Sequence, residues 1–103
     1  MKIIESTKVI IYGVGQMNML ATRLLKERGI DIVGAINRRG PKIGKDLGLL
    51  AGIDYLNVPI SDDPEKVLSK TADIVIVAVA SELPIMFPIY KQCLEARKNV
   101  ATI

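Results

Sequence analysis

Apolar residues along this chain follow two alternating patterns. Short unbroken runs rich in Val and Ile give way to stretches in which apolar positions recur every three or four residues. Lys8 to Tyr12 is the first run, and its continuous rather than alternating polarity predicts a parallel strand covered on both faces. From Met17 onward, Leu20, Ala21, Leu24 and Leu25 recur at helical spacing opposite Arg23, Lys26, Glu27 and Arg28, and Gly29 supplies a helix stop. Ile30 to Ile36 predicts a second strand. Tyr55 to Ile60 predicts a weaker third, with Pro59 placing it at a strand end or an edge. Asp63 is a good N-cap before Pro64 at the first helical position, opening a short helix through about Ser69. Ile74 to Ala80, the most apolar run, predicts a central strand. A helical stripe of Met86, Ile89, Tyr90, Cys93 and Leu94 follows, where Pro84 and Pro88 predict an irregular start or a start only near Pro88. NVATI, at the end of the chain, predicts a last strand. The alternation predicts an α/β fold, a doubly wound and mainly parallel sheet with helices on both faces and right-handed crossovers.

Composition narrows this picture. A chain of 103 residues suits one domain with a single core. Half of it is hydrophobic, yet no apolar run is long enough to cross a bilayer, and MKIIESTKVI lacks the pattern of a secretory signal. The single cysteine cannot form an internal disulfide, which fits a reducing cytoplasm. A net charge of +3, with scattered basic residues and no interleaved aromatics, does not argue for nucleic acid. The absence of histidine, with one cysteine, excludes soft-ligand metal sites and histidine acid/base catalysis within the chain.

The chemistry lies where the first strand becomes the first helix. KVIIYGVGQMN puts Gly13 and Gly15 around Val14 at that junction, and Gln16 and Met17 open the helix. A helix starting there presents unsatisfied N–H groups and the positive end of its dipole above the strand. Gly13 permits a tight turn, and Gly15, without a Cβ, lets a diphosphate approach the backbone, as in a Rossmann dinucleotide loop. A strand-to-helix turn that contains glycine but binds nothing is the plain alternative. The third glycine of the fingerprint is replaced by Asn18, which either moves the helix outward or serves as a local cap.

The second predicted strand ends in AINRRG. No carboxylate stands there to accept from an adenosine ribose. Asn37 is neutral, and Arg38 and Arg39 suit a 2′-phosphate, which predicts a preference for NADP(H) with NAD(H) possible. Two solvated loop arginines are the alternative. PKIGKDLGLLAG reads mainly as a flexible connection with one helical turn; as an anion-binding loop it lacks a Walker ending. Ala80 and Ser81, at the end of the central strand, fall where the crevice of such sheets forms, although a strand-ending serine is also an ordinary cap. Cys93 lies on an apolar stripe, which predicts buried packing.

GVGQMN, AINRRG with IGKDLGLLAGI, VPISDDPEKVL, DIVIVAVAS and CLEARKNVATI together resemble the N-terminal cofactor domain of the dihydrodipicolinate reductase-like family, within it the 2,4-diaminopentanoate dehydrogenases. The resemblance implies that Gly13, Gly15, Gln16 and Met17 form the pyrophosphate loop. It implies that Asn37 and Arg38 sit at the adenosine ribose and 2′-phosphate, and Ala80 and Ser81 beside the nicotinamide. Asn18 departs from the family's glycine. The resemblance further implies that substrate and catalytic groups lie in a second domain after NVATI, so that residues 1–103 are a dinucleotide-binding domain truncated from a two-domain oxidoreductase acting on an amino-acid-derived amine or imine. Such a fragment is expected to bind dinucleotide and turn over little. The expected partners are the cofactor, a small amino-acid-like substrate in the longer protein and a further copy of the chain, with no nucleic acid and no membrane. The competing expectations are a stand-alone dinucleotide-sensing regulatory module and a domain with an empty site that serves dimerisation.

Overall fold

The computed structural model describes residues 7–37, 40–78 and 83–102. Its elements are β1 (Lys8–Tyr12), α1 (Gln16–Glu27), β2 (Asp31–Ile36), α2 (Leu47–Leu50), β3 (Ile60–Ser61), α3 (Pro64–Leu68), β4 (Ile74–Val77), α4 (Leu83–Glu95) and β5 (Asn99–Thr102). The strands form one five-stranded sheet in the order β3-β2-β1-β4-β5, and every pairing is parallel. This is the doubly wound, Rossmann-like arrangement expected. The chain leaves β1 toward β2 on one side and returns to β4 on the other, so the carboxyl ends of β1 and β4 flank the topological switch point.

β1 shows why its sequence is apolar without alternation. Val9 and Ile11 join a core cluster with Met19 of α1 and Leu47 of α2. Ile10 and Tyr12 join a second cluster with Val67 and Leu68 of α3 and Ile89 and Cys93 of α4. Successive side chains point to opposite faces of a strand, and here each face carries helices, so every position after Lys8 is buried.

α1 ends as Gly29 predicts. Gly29, at φ 75°, donates to the Lys26 carbonyl and Ile30 donates to that of Leu25, both at 3.0 Å, the paired bonds of a Schellman stop. Its rotation differs from expectation. The buried residues are Asn18, Met19 and Thr22, while Leu20 and Leu24, from the predicted inner stripe, are exposed. Asn18, whose amide is fixed to the sheet as described below, sets that rotation.

Two boundaries also differ. The predicted strand over Tyr55–Ile60 pairs only at Ile60–Ser61, because Leu56 and Val58 donate their N–H groups to the Asp46 carboxylate and Asn57 adopts φ 58°. The last helix begins at Leu83 rather than near Pro88, which lies inside it. Pro84 falls in the first turn, where a missing N–H costs nothing, and Pro88 forfeits only the bond it would make to the carbonyl four residues earlier, itself in that turn. Leu94, placed on the buried stripe, is exposed, whereas Ile89 and Cys93 are buried as expected. The β4 pairing ends at Val77, with Ala78 donating to the Tyr12 carbonyl at 3.0 Å; Val79 and Ala80 lie outside the described residues. No helix among the described residues is long and apolar enough to cross a membrane.

Candidate functional site

Gly13 makes the turn at the end of β1. Its φ of 101° is a backbone conformation that side chains with a Cβ rarely take, and its N–H reaches the Ile36 carbonyl at 2.8 Å. The turn therefore begins beside the end of β2. Asn37 follows there, half-buried, its N–H bonded to the Ser61 carbonyl at 2.9 Å.

Gly15 is a glycine for a different reason. It is the N-cap of α1 with φ −78° and ψ −178°, extended backbone open to any residue, and a Cβ built on it meets no atom within 4 Å. The fold does not require glycine at this position. What glycine leaves is open space directly in front of the first turn of α1, where Gln16 and Met17 are exposed. The first N–H groups of a helix lack intrahelical acceptors, and among the described residues no side-chain cap bond forms here. No acidic residue lies in the first turn of α1 to neutralise the dipole. The result is an electropositive, uncapped cradle left open by Gly15, the geometry that a diphosphate fits.

Asn18 takes neither role expected of it. It is fully buried, and its Nδ2 donates to the carbonyls of Gly13 at 2.7 Å and Tyr12 at 3.1 Å, with a longer contact of 3.4 Å to Ile76. The amide thus ties the end of β1 and the turn to β4 across the switch point, and it draws the helix in rather than moving it out. Thr22, one turn along, donates its hydroxyl to the Asn18 carbonyl at 2.7 Å. The Asn18 Oδ1 is buried without a hydrogen-bond partner among the described residues.

A cation completes the loop. Lys42, in the segment after β2, donates from Nζ to the Val14 carbonyl at 3.0 Å. It reaches the loop because its own segment is pinned. Gly44 donates to the Ile60 carbonyl at 2.8 Å, Ile60 donates back to Lys45 at 2.9 Å, and Asp46 bridges to Pro59 in the antiparallel sense. The Asp46 carboxylate caps α2 through Leu49 N–H at 3.1 Å and accepts from Leu56 at 3.0 Å and Val58 at 2.8 Å. Burial works to raise its pKa, but the backbone donors Leu56, Val58, Leu49 and Gly48 outweigh it and hold the carboxyl below its ordinary value. A cleft of about 540 Å³ opens beside the loop, lined by Gly15, Gln16, Met17, Arg23 and Lys42 among others, with no acidic side chain.

The structure thus brings Gly13, Val14, Gly15, Gln16 and Met17 together, with Asn37 next to them. Arg38, Arg39, Ala80 and Ser81 lie outside the described residues. Lys42 was not among the residues singled out from the sequence, since its role depends on how the following segment folds back. Cys93 is buried in the second core cluster, and burial pushes its thiol up to about 11. Among the described residues no group of three or more His, Cys, Asp or Glu side chains gathers to hold a metal ion.

Comparison with known proteins gives the chain its relatives. The family model described as "Dihydrodipicolinate reductase, N-terminus" matches residues 7–101. A 4-hydroxy-tetrahydrodipicolinate reductase from Anaeromyxobacter dehalogenans is 44% identical over 73 residues, 68% of this chain and 27% of that protein. One from Mesorhizobium japonicum is 41% identical over 64 residues, 60% of this chain and 23% of that protein. The chain spans about a quarter of the length of these relatives. A solved amine dehydrogenase from Mycobacterium smegmatis superposes with a TM-score of 0.89 at 39% identity, covering 94% of this chain and 29% of that one.

Proposed function

Because this chain belongs to the dihydrodipicolinate reductase family, as its N-terminal NAD(P)-binding domain, we propose that it binds the dinucleotide with the diphosphate against the first turn of α1. The observation that carries this reading is Gly15: a position with unstrained backbone and empty space around its Cβ direction, in front of uncapped helix amides. In this reading Gly13, Val14, Gly15, Gln16 and Met17 form the diphosphate loop. Asn37, Arg38 and Arg39 take the adenosine ribose and a 2′-phosphate, so that NADP(H) is preferred over NAD(H). Ala80 and Ser81 stand beside the nicotinamide, which supplies a hydride donor or acceptor when bound.

The chain's own residues bind and orient. Gly13 sets the turn, the α1 dipole and amides balance the diphosphate charge, and Asn18 keeps the turn registered on β1 and β4. Groups acting on substrate belong to a further domain of a longer protein. There the reaction is hydride transfer to or from an amino-acid-derived amine or imine, in keeping with the reductase relatives and the amine dehydrogenase neighbour. In this reading the enzyme works in the cytoplasm, in keeping with a single cysteine that cannot form an internal disulfide.

Titration of the purified chain with NADPH and with NADH tests the reading. Both bind, NADPH more tightly, and Arg38→Ala weakens NADPH more than NADH. Equal losses for the two cofactors would remove the arginine assignment, and no binding of either would remove the site.

A further inference from the structure

The geometry points to Lys42 as a ligand for the cofactor's diphosphate, a cation delivered to the glycine loop from the segment after β2. This inference rests on the dinucleotide reading above and adds a residue to it. Its Nζ lies 3.0 Å from the Val14 carbonyl, between the two glycines, and the side chain lines the same cleft as Gly15, Gln16 and Met17.

An ammonium has three N–H donors, and a single neutral carbonyl satisfies one. Lys42 is half-buried, and among the described residues it has no carboxylate partner; the cleft it faces carries Arg23 as a second cation and no acid. Arg23 itself donates to the Ala51 carbonyl at 3.1 Å. Like the α1 amides, then, Lys42 is a positive group without an anion, and both look into one space. A helix terminus contributes only partial charge, whereas Lys42 would bring a full one to the same diphosphate as a charge-assisted hydrogen-bond donor.

The placement is supported rather than accidental. Asp46, accepting from Leu49, Leu56 and Val58, and the Gly44 and Ile60 bonds across to the β3 lead-in fix the segment that carries Lys42. Because Lys42 reaches the loop at Val14, the charge falls on the diphosphate, which NAD(H) and NADP(H) share, rather than on the 2′-phosphate, which only NADP(H) carries.

Two variants separate this from a structural role. Lys42→Gln keeps a donor for the Val14 carbonyl and removes the charge; Lys42→Arg keeps the charge. Each variant is titrated with NADH and NADPH at about 0.05 M and 0.3 M salt, a range over which exposed charges become strongly screened, with circular dichroism confirming that the variants fold. Lys42→Gln is expected to weaken both cofactors by a similar factor, roughly tenfold or more, and to flatten the salt dependence, while Lys42→Arg stays near the unaltered chain. If Lys42→Gln binds both cofactors as the unaltered chain does, Lys42 merely braces the loop and the inference falls, leaving the dinucleotide site intact. A loss confined to NADPH moves the charge to the 2′-phosphate and overturns the assignment made here. If the unaltered chain binds neither cofactor, this inference and the reading beneath it fall together.

Discussion

Gly15→Ala separates a glycine kept for folding from one kept for a ligand. On the folding side two small terms oppose. Alanine is a poorer N-cap than glycine, a loss of about 0.5–1 kcal/mol, while removing glycine's freedom from the unfolded chain returns about 0.4–1 kcal/mol where the native backbone suits alanine. It does suit it, at φ −78° and ψ −178°, and the added methyl meets no atom within 4 Å. Stability should therefore change by less than about 1 kcal/mol. On the binding side the same methyl projects into the space in front of the α1 amides. Displacing the diphosphate enough to break one charge-assisted N–H···O bond costs about 2 kcal/mol, which is about a thirtyfold rise in Kd. Urea unfolding of both proteins gives the first quantity, and calorimetric titration with NADPH the second. Unchanged affinity in a folded Gly15→Ala protein would refute the diphosphate placement, and a large loss of stability would refute the claim that the fold leaves Gly15 free.

Asp46→Asn should destabilise the chain by roughly 1–3 kcal/mol at neutral pH, since both carboxylate oxygens accept backbone N–H bonds and asparagine keeps one neutral acceptor beside an NH2 group that cannot accept. The Asp46 pKa is lowered on folding from 3.8, so the carboxylate's contribution is present above that value and disappears as pH falls through the folded pKa. The gap between the two proteins in urea midpoint should therefore narrow as the pH is lowered below 3.8 and through the folded pKa; a gap independent of pH would exclude the charge as its source. Arg97, at φ 60°, donates to the Leu94 carbonyl at 2.9 Å while Lys98 donates to that of Cys93 at 3.0 Å, the same helix stop that Gly29 makes for α1. Arg97→Gly relieves a left-handed penalty of about 1–2 kcal/mol, partly offset by glycine's entropy, so the thermal midpoint should rise by a few degrees; a fall would contradict this conformation. Cys93, buried and with its thiol raised to about 11, should react with iodoacetamide only as fast as the protein opens. Rapid labelling at pH ~8, where a normal thiol is partly ionised, would show that it is accessible in the native state.

The sequence made some of this architecture legible and concealed the rest for identifiable reasons. β1, β2 and β4 announce themselves because strands buried on both faces need apolar residues at every position, and no surface helix does. The Gly29 stop and the Asp63 cap were equally plain, since both act within a few residues: Asp63 accepts from Lys66 N–H at 3.3 Å. The third strand was overcalled. Tyr55 to Val58 has strand-like residues, but the N–H groups of Leu56 and Val58 go to a carboxylate ten or more positions earlier, at Asp46, and no local pattern records where a backbone donor will be spent. Lys42 was hidden in the same way, its partner Val14 lying 28 positions away.

Asn18 shows how such a hidden contact reshapes the site itself. A glycine at this position brings helix and strand together by having nothing in the way. Asn18 reaches the same closeness by filling the gap and bonding across it: Tyr12 at the end of one strand and Gly13 in the turn after it, Ile76 on the neighbouring strand. Two amide hydrogens are thus shared over three acceptors, at the cost of an Oδ1 buried without a partner among the described residues, a penalty of about 1–3 kcal/mol. That tie accounts for two observations that helical periodicity misreads. It turns α1 so that Asn18 and Thr22 are buried while Leu20 and Leu24 face outward, and it commits the side chain following Met17 to the sheet, so that the N–H groups of the first turn are left to face the open space beside Gly15. The polar residue that breaks the glycine pattern thereby holds the remainder of that pattern in position to meet an anion.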